Sequence, residues 1–227
     1  MERYDDLMDK AGSGSLPEQI QPALGLKQDL GFVEVSYRYP NAEQAGLHGV
    51  SLDIQAGERI GIVGSTGAGK TTLADLILGL LPPSEGRILV DGTEITEETL
   101  RSWQQSVGYV PQDIFLIDAS ISENIALGVP PEEIDEAGVR RAAVIAQIDT
   151  FIREDLPDGY ATTIGERGVR LSGGQRQRIG IARALYHDAD LIVFDEATSA
   201  LDNLTEREVM TAIDALPGDK TVLMIAH

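Results

Sequence analysis

Cysteine is absent from the 227 residues, so neither disulfides nor thiolate-bound metals hold this chain together. Aromatic residues are scarce, at 5%. No apolar run approaches the roughly 18–20 residues that span a bilayer. The opening stretch MERYDDLMDKAGSGSLPEQ is acidic and has no apolar core, which argues against a secretory signal. Bases are also short: 18 Lys and Arg face 37 Asp and Glu, a net charge of −19. Residues 91–160 alone hold 4 bases against 15 acids. A field of that sign repels nucleic acid and anionic lipid, so no nucleic-acid partner is expected. Most of these acids read as solvated exposed faces. What remains, 42% hydrophobic and 24% charged, is an ordinary globular composition with the length for one large domain or two small ones.

Residues 1–30 are polar, carry GSGS and show no sustained periodicity, so they read as a flexible linker or a cloning remnant. From 31 the texture changes. FVEVSYRY, VSLDI and RIGIVG read as strands, and KTTLADLILGLL as a helix halted by Pro82 and Pro83. GRILVDG and SVGYV add strands; from about 113 to 170 the pattern is mostly helical, with a Ser120–Glu123 capping box. Strand character returns in DLIVFDE and KTVLMIA, separated by the helix TEREVMTAIDAL. Continuous apolar strands alternating with helices predict an α/β fold whose mainly parallel sheet is covered on both faces, interrupted by a helical insertion.

GSTGAGKTT, Gly64 to Thr72, fits G-x-x-x-x-G-K-[ST] between a strand and a helix. The main chain of Gly64, Ser65, Thr66, Gly67, Ala68 and Gly69 is expected to cradle a phosphate at the positive end of the helix, with Thr72 closing the motif. Lys70 is expected to reach the β- and γ-phosphates, and the Thr71 hydroxyl to join a Mg²⁺ shell. LIVFDE supplies the counterpart: Asp195, at the carboxyl edge of the sheet, can hold Mg²⁺ through water, and Glu196 can accept a proton from a water attacking the γ-phosphate. LSGGQRQRIGIARAL, 171–185, poses a different question. Ser172 and Gln175 have capping-box spacing, a sufficient reason for a helix start. Gly173 and Gly174, at the first two helical positions, are not needed for that and weaken a helix by about 1 kcal/mol each against alanine. A phosphate approaching bare amides is the alternative reason.

With these motifs in order, the chain resembles the nucleotide-binding domain of an ABC transporter over residues 32–227. LSGGQ matches the family's signature, YVPQD its Q-loop with Gln112, SALD (199–202) its D-loop, and MIAH its switch-histidine segment with His227. The resemblance implies a P-loop NTPase core with an N-terminal antiparallel β subdomain and the helical subdomain at 113–170. It implies ATP with Mg²⁺, held by Thr71, Gln112 and Asp195. Gln112 would sense the γ-phosphate and Mg²⁺, Glu196 would act as base, and His227 would clamp the γ-phosphate and the attacking water. Tyr39 sits where the family stacks an aromatic on adenine, although alternation with Tyr37 in a strand also fits packing. Two such domains pair head to tail, so that Ser172, Gly173, Gly174 and Gln175 close over the partner's ATP.

TIGERG, with Glu166, and FLIDASISENIALG resemble exporter-type members, whose transmembrane domain would meet that surface. LRSWQQSVGYVPQDIFLIDASISENIALG is similar to bacterial exporters of lipids and lipid-linked oligosaccharides. The implied setting is the cytoplasmic face of the inner or plasma membrane, reached only through that partner domain. Family members usually continue beyond the switch histidine, so the chain is expected to be truncated after His227 and to turn over slowly. A soluble ABC-type ATPase and a nucleotide-binding interaction module with little turnover are the alternatives.

Overall fold

The computed structural model describes residues 24–40, 46–165, 169–197 and 202–226. Two four-stranded sheets organise it. The first is antiparallel, in the order β2 (Leu47–Gln55), β1 (Asp29–Tyr37), β4 (Glu85–Val90), β5 (Thr93–Glu94). The second is parallel, in the order β3 (Arg59–Val63), β10 (Thr221–Ala226), β9 (Leu191–Asp195), β6 (Val107–Val110).

Alternate side chains of the parallel sheet enter two separate cores. Leu191, Val193, Leu223 and Ile225 join α1 (Lys70–Ile77) and the antiparallel sheet on one face. Ile192, Phe194 and Val222 join α6 (Gly173–Tyr186) and α7 (Asn203–Asp214) on the other. Burial on both faces is why these strands are apolar at every position rather than at every second one.

The expected linker boundary at residue 30 falls inside the fold. Leu26 and Leu30 are buried, and Asp91 accepts the amides of Lys27, Gln28 and Asp29. Residues 1–23 lie outside the described residues. In β1 the alternation read from FVEVSY breaks at Glu34, which takes a left-handed φ of 50° where the register shifts. Gly86 faces that bulge: a Cβ there would sit 2.4 Å from the carbonyl oxygens of Val33 and Glu34.

Helix α1 stops at Ile77, well before Pro82 and Pro83. Gly79, at φ 66°, donates to the Leu76 carbonyl and Leu80 to that of Asp75, a Schellman end that terminates the helix first. After the short helix α2 (Leu100–Gln104), the insertion contains α3 (Ile121–Ile125), whose Ser120–Glu123 capping box is present, α4 (Glu136–Ile145) and α5 (Asp149–Glu154). It also holds a short antiparallel pair, β7 (Ala119–Ser120) with β8 (Thr163–Ile164), within a stretch read as helical. The helical pattern of 135–152 is split where Gln147 takes φ 57° and closes a second Schellman end.

Candidate functional site

The loop from β3 to α1 turns where its glycines allow it. Gly67 and Gly69 have φ of 82° and 88°, and a Cβ on Gly69 would lie 2.7 Å from the Gly46 carbonyl. Gly69 caps α1 without a side-chain bond and the first turn holds no acid, so this helix start keeps its positive end free of a competing carboxylate. Lys70 is buried, and its ammonium folds back to donate to the carbonyls of Gly64 (2.7 Å) and Ser65 (3.3 Å). The lysine therefore sits over the loop it belongs to, within reach of whatever the loop encloses.

A cleft of about 410 Å³ opens here, lined by Tyr39, Gly46, Thr66, Gly67, Gly69, Lys70, Thr71, Thr72 and Glu196. Tyr39 is 40% exposed and meets Tyr37 edge-on, with centroids 4.9 Å apart. Its hydroxyl pairs with the buried Thr72 Oγ1 at 3.0 Å. Thr72, expected from the sequence to bind the ligand, lines the cleft, and its hydroxyl also fixes the aromatic at the rim.

Asp195 ends β9, with Glu196 directly after it. The Tyr109 hydroxyl, from β6, donates to Asp195 Oδ2 at 3.1 Å. Partial burial and that carboxylate push the Tyr109 phenol up to about 12. Asp75 on α1 has its carboxyl raised as well, first by burial and then by the charge of Asp195. Glu196 takes a left-handed φ of 49°, a strained conformation for a non-glycine residue, and its amide donates to the Ile225 carbonyl at 3.1 Å. Strain of this kind is held by surrounding structure and concentrates at functional positions. The hydroxyl of exposed Thr71 and the carboxylate of Asp195 are hard oxygen donors, a set that fits Mg²⁺, which takes one or two protein oxygens alongside phosphate and water. Among the described residues there is no cluster of three His, Cys, Asp or Glu that would hold a metal without a phosphate partner.

The signature segment lies elsewhere: Ser172, Gly173, Gly174 and Gln175 do not line the cleft, and neither does Gln112. Ser172 caps α6 through a full capping box, donating its amide to Gln175 Oε1 (2.7 Å) and accepting the Gln175 amide on Oγ (3.2 Å). Gly174 has a structural reason that the sequence does not reveal. A Cβ there would lie 2.1 Å from Thr205 Cγ2 on α7, whose N-cap Asp202 accepts the Thr205 hydroxyl at 2.7 Å. His227, Glu166 and residues 199–201 of SALD lie outside the described residues. The strand leading to His227 runs parallel to β3 and sets Ala226 opposite Val63, immediately before the phosphate loop.

Tyr109, Asp75 and Thr205 were missed at the sequence level. Tyr109 alone carries a signal, since a polar aromatic in a short strand beside β9 sits within reach of the β9 carboxyl end.

A model of the ABC transporter family matches residues 47–199. An ATP-dependent lipid A-core flippase of Cupriavidus metallidurans is 43% identical over 94% of this chain and 37% of its own length. A β-(1→2)glucan export ATP-binding/permease protein, NdvA of Rhizobium etli, is 46% identical over 98% of this chain and 36% of its own. Among solved structures, a bacterial Atm1-family ABC exporter with ATP bound superposes with a TM-score of 0.79 at 42% identity, covering 92% of this chain and 36% of that one. The chain thus spans little more than a third of these relatives' length. With a phosphate loop, an Asp-Glu strand end and a signature helix arranged on this fold, the chain belongs to the ABC transporter family as an ATP-binding domain, similar to those of the exporters above.

Proposed function

We propose that this domain binds and hydrolyses ATP within a closed pair of copies and thereby powers an exporter. The observation that carries the reading is the separation within one chain. The cleft gathers Tyr39, the phosphate loop and Glu196, while Ser172 and Gly173 present their helix start outside it. A helix N-terminus with bare glycine amides suits a phosphate, and the domain's own phosphate loop already supplies that cradle in cis. A head-to-tail pair gives each signature the other copy's γ-phosphate.

In this reading the amides of residues 64–69 and the Lys70 ammonium hold the β- and γ-phosphates, and Tyr39 stacks on adenine. Thr71, Asp195 and the Gln112 amide hold Mg²⁺, which supplies charge neutralisation on the phosphate oxygens. Glu196 takes a proton from the attacking water, and His227 holds the γ-phosphate and that water. ATP closes the pair, and hydrolysis lets it reopen.

A groove of about 680 Å³ between residues 114–118 and residues 165, 169–171 and 176 supports a membrane partner. Phe115, 72% exposed, lines it together with Ile114, Leu116, Ile117 and Val169, a contiguous apolar patch of the kind that marks interaction surfaces. No helix among the described residues is long and apolar enough to cross a membrane. The membrane-spanning region is assigned to a partner domain, fused or separate, and this domain to the cytoplasmic face, with a lipid, glycolipid or drug-like molecule as cargo.

Glu196→Gln tests the reading. With the base neutralised and the phosphate contacts intact, the variant should accumulate as an ATP-bound dimer by size exclusion with light scattering, and lose hydrolysis. A variant that stays monomeric at saturating ATP and Mg²⁺ overturns the head-to-tail mechanism.

A further inference from the structure

Residues 24–29 run into the start of β1, and their main chain is held by three side chains from three separate elements. The Leu24 amide donates to Ser102 Oγ on α2 at 2.7 Å. The Leu26 amide donates to Asp190 Oδ2, just ahead of β9, at 3.1 Å, and the Lys27 ammonium reaches Oδ1 of the same carboxylate at 2.9 Å. The amides of Lys27, Gln28 and Asp29 donate to the Asp91 carboxylate, in the turn between β4 and β5, at 3.0, 2.8 and 3.0 Å. All but the Lys27 ammonium are main-chain donors, so the bonds leave little trace in the sequence. Gly25 is the exception: a Cβ there would lie 2.6 Å from Asp190 Oδ2.

Each anchor sits at the rear end of an element whose front end reaches the cleft. Ser102 is followed by Trp103 and Gln104, which donate to the carbonyls of Ile77 (2.7 Å) and Gly79 (3.1 Å) where α1 stops; α1 starts at Lys70 and Thr71. Asp190 immediately precedes β9, whose far end is Asp195, with Glu196 next. Asp91 holds the start of β1, whose far end is Tyr37, two residues before Tyr39. Residues 24–29 thus join the phosphate-loop helix, the Asp195 strand and the Tyr39 strand at the ends remote from the cleft. Hydrogen bonds to a charged acceptor are the stronger kind, and the two carboxylates receive every one of these except that of Leu24.

We propose that residues 24–29 form a rear brace, with Asp190 as its chief positioning residue, that sets Tyr39 against the phosphate loop. None of residues 24–29 lines the cleft, and neither does Asp190. Triphosphate binding draws on one loop and the Lys70 that follows it. Stacking on a base draws on β1 and α1 held in fixed relation, which is what the brace supplies. Loosening it costs the nucleotide the contribution of its base and leaves that of its phosphates. This rests on the proposed function, in which Tyr39 stacks on adenine.

The test uses the whole chain as parent, with Asp190→Ala, Asp190→Asn and Gly25→Ala made singly. ATP and inorganic triphosphate are titrated by calorimetry in EDTA, at concentrations that keep the chain monomeric, and folding is followed by thermal melting. Asp190→Ala removes both bonds to the strap. Gly25→Ala keeps every bonding group and forces the carboxylate aside. In both, ATP affinity should fall by about fivefold while triphosphate affinity stays within about twofold, a loss inside what one base stack supplies. Asp190→Asn keeps a carbonyl acceptor for the Leu26 amide, so its ATP affinity should fall by less than about twofold.

ATP affinity unchanged in either folded variant, Asp190→Ala or Gly25→Ala, or falling by the same factor as triphosphate affinity, overturns the brace and leaves the proposed function standing. A loss in Asp190→Asn equal to that in Asp190→Ala overturns it too. So does unfolding of both Asp190→Ala and Gly25→Ala, which makes the strap a plain part of the core. A parent that binds ATP no tighter than triphosphate overturns the adenine stack in the proposed function, and this inference with it.

Discussion

Tyr109 donates a 3.1 Å hydrogen bond to the Asp195 carboxylate across the β6–β9 pairing. The bond engages one carboxylate oxygen, Oδ2, and leaves the other outside it. With the phenol raised to about 12, it stays protonated and keeps donating throughout the pH range of an ATPase assay. Tyr109→Phe removes the donor while keeping the ring. Loss of a hydrogen bond to a charged group is worth about 1.5–3 kcal/mol. The Mg²⁺ concentration needed for half-maximal hydrolysis should therefore rise by about tenfold, with nucleotide binding in EDTA unchanged. Steady-state hydrolysis against Mg²⁺ measures this.

Asp75 carries the opposite lesson about charge. Burial first, then Asp195, raises its carboxyl in the folded chain, so folding takes up protons as this group titrates. A raised carboxyl disfavours the folded state once pH exceeds the unfolded value. Its penalty grows as pH rises through the gap and is complete above the folded value. Asp75→Asn should therefore melt higher than the parent near neutral pH. That advantage should fade to nothing below the ordinary carboxylate range. Thermal melts at several pH values between those limits check the sign.

The phosphate loop, the Asp195–Glu196 strand end and both capping boxes were legible because each is a local signal: the residues that interact lie within a few positions of one another. The two-faced burial of β9 and β10 was legible from unbroken apolar runs. What escaped depends on partners distant in sequence or on unusual residues in familiar places. Gly174 answers to Thr205, 31 positions away. Gln147 holds a left-handed helix end where glycine is the usual mark, so the helix read as continuous. The β7–β8 pair is two residues long on each side, too short for any periodicity to register. Leu26 joined the core through contacts that a polar, unpatterned segment gives no hint of.

Gly174 can be separated from the phosphate question by a paired substitution. Gly174→Ala would drive a methyl into Thr205 Cγ2 at 2.1 Å, and overpacking of this kind costs about 1–3 kcal/mol. Thr205→Ser removes that Cγ2 and preserves the hydroxyl that bonds Asp202. The double variant should recover most of the stability lost in Gly174→Ala, a coupling that urea denaturation of all four proteins in a double-mutant cycle would quantify. Additive losses would mean that Gly174 is there for something other than its contact with α7.

Tyr39 has two candidate duties, rim packing through Tyr37 and Thr72 or stacking on a base, and two substitutions tell them apart. Tyr39→Phe keeps the ring face and deletes only the hydroxyl that meets Thr72 Oγ1. Tyr39→Ala deletes the face too. Aromatic–base stacking is worth about 1–3 kcal/mol by alanine substitution. If Tyr39 stacks on adenine, ATP affinity should fall by about tenfold or more in Tyr39→Ala and by less than about threefold in Tyr39→Phe. The same pair measured with inorganic triphosphate, which carries no base, should show no difference. Equal losses with ATP and triphosphate would assign the ring to packing alone, since a stacking partner cannot weaken the binding of a ligand that has nothing to stack.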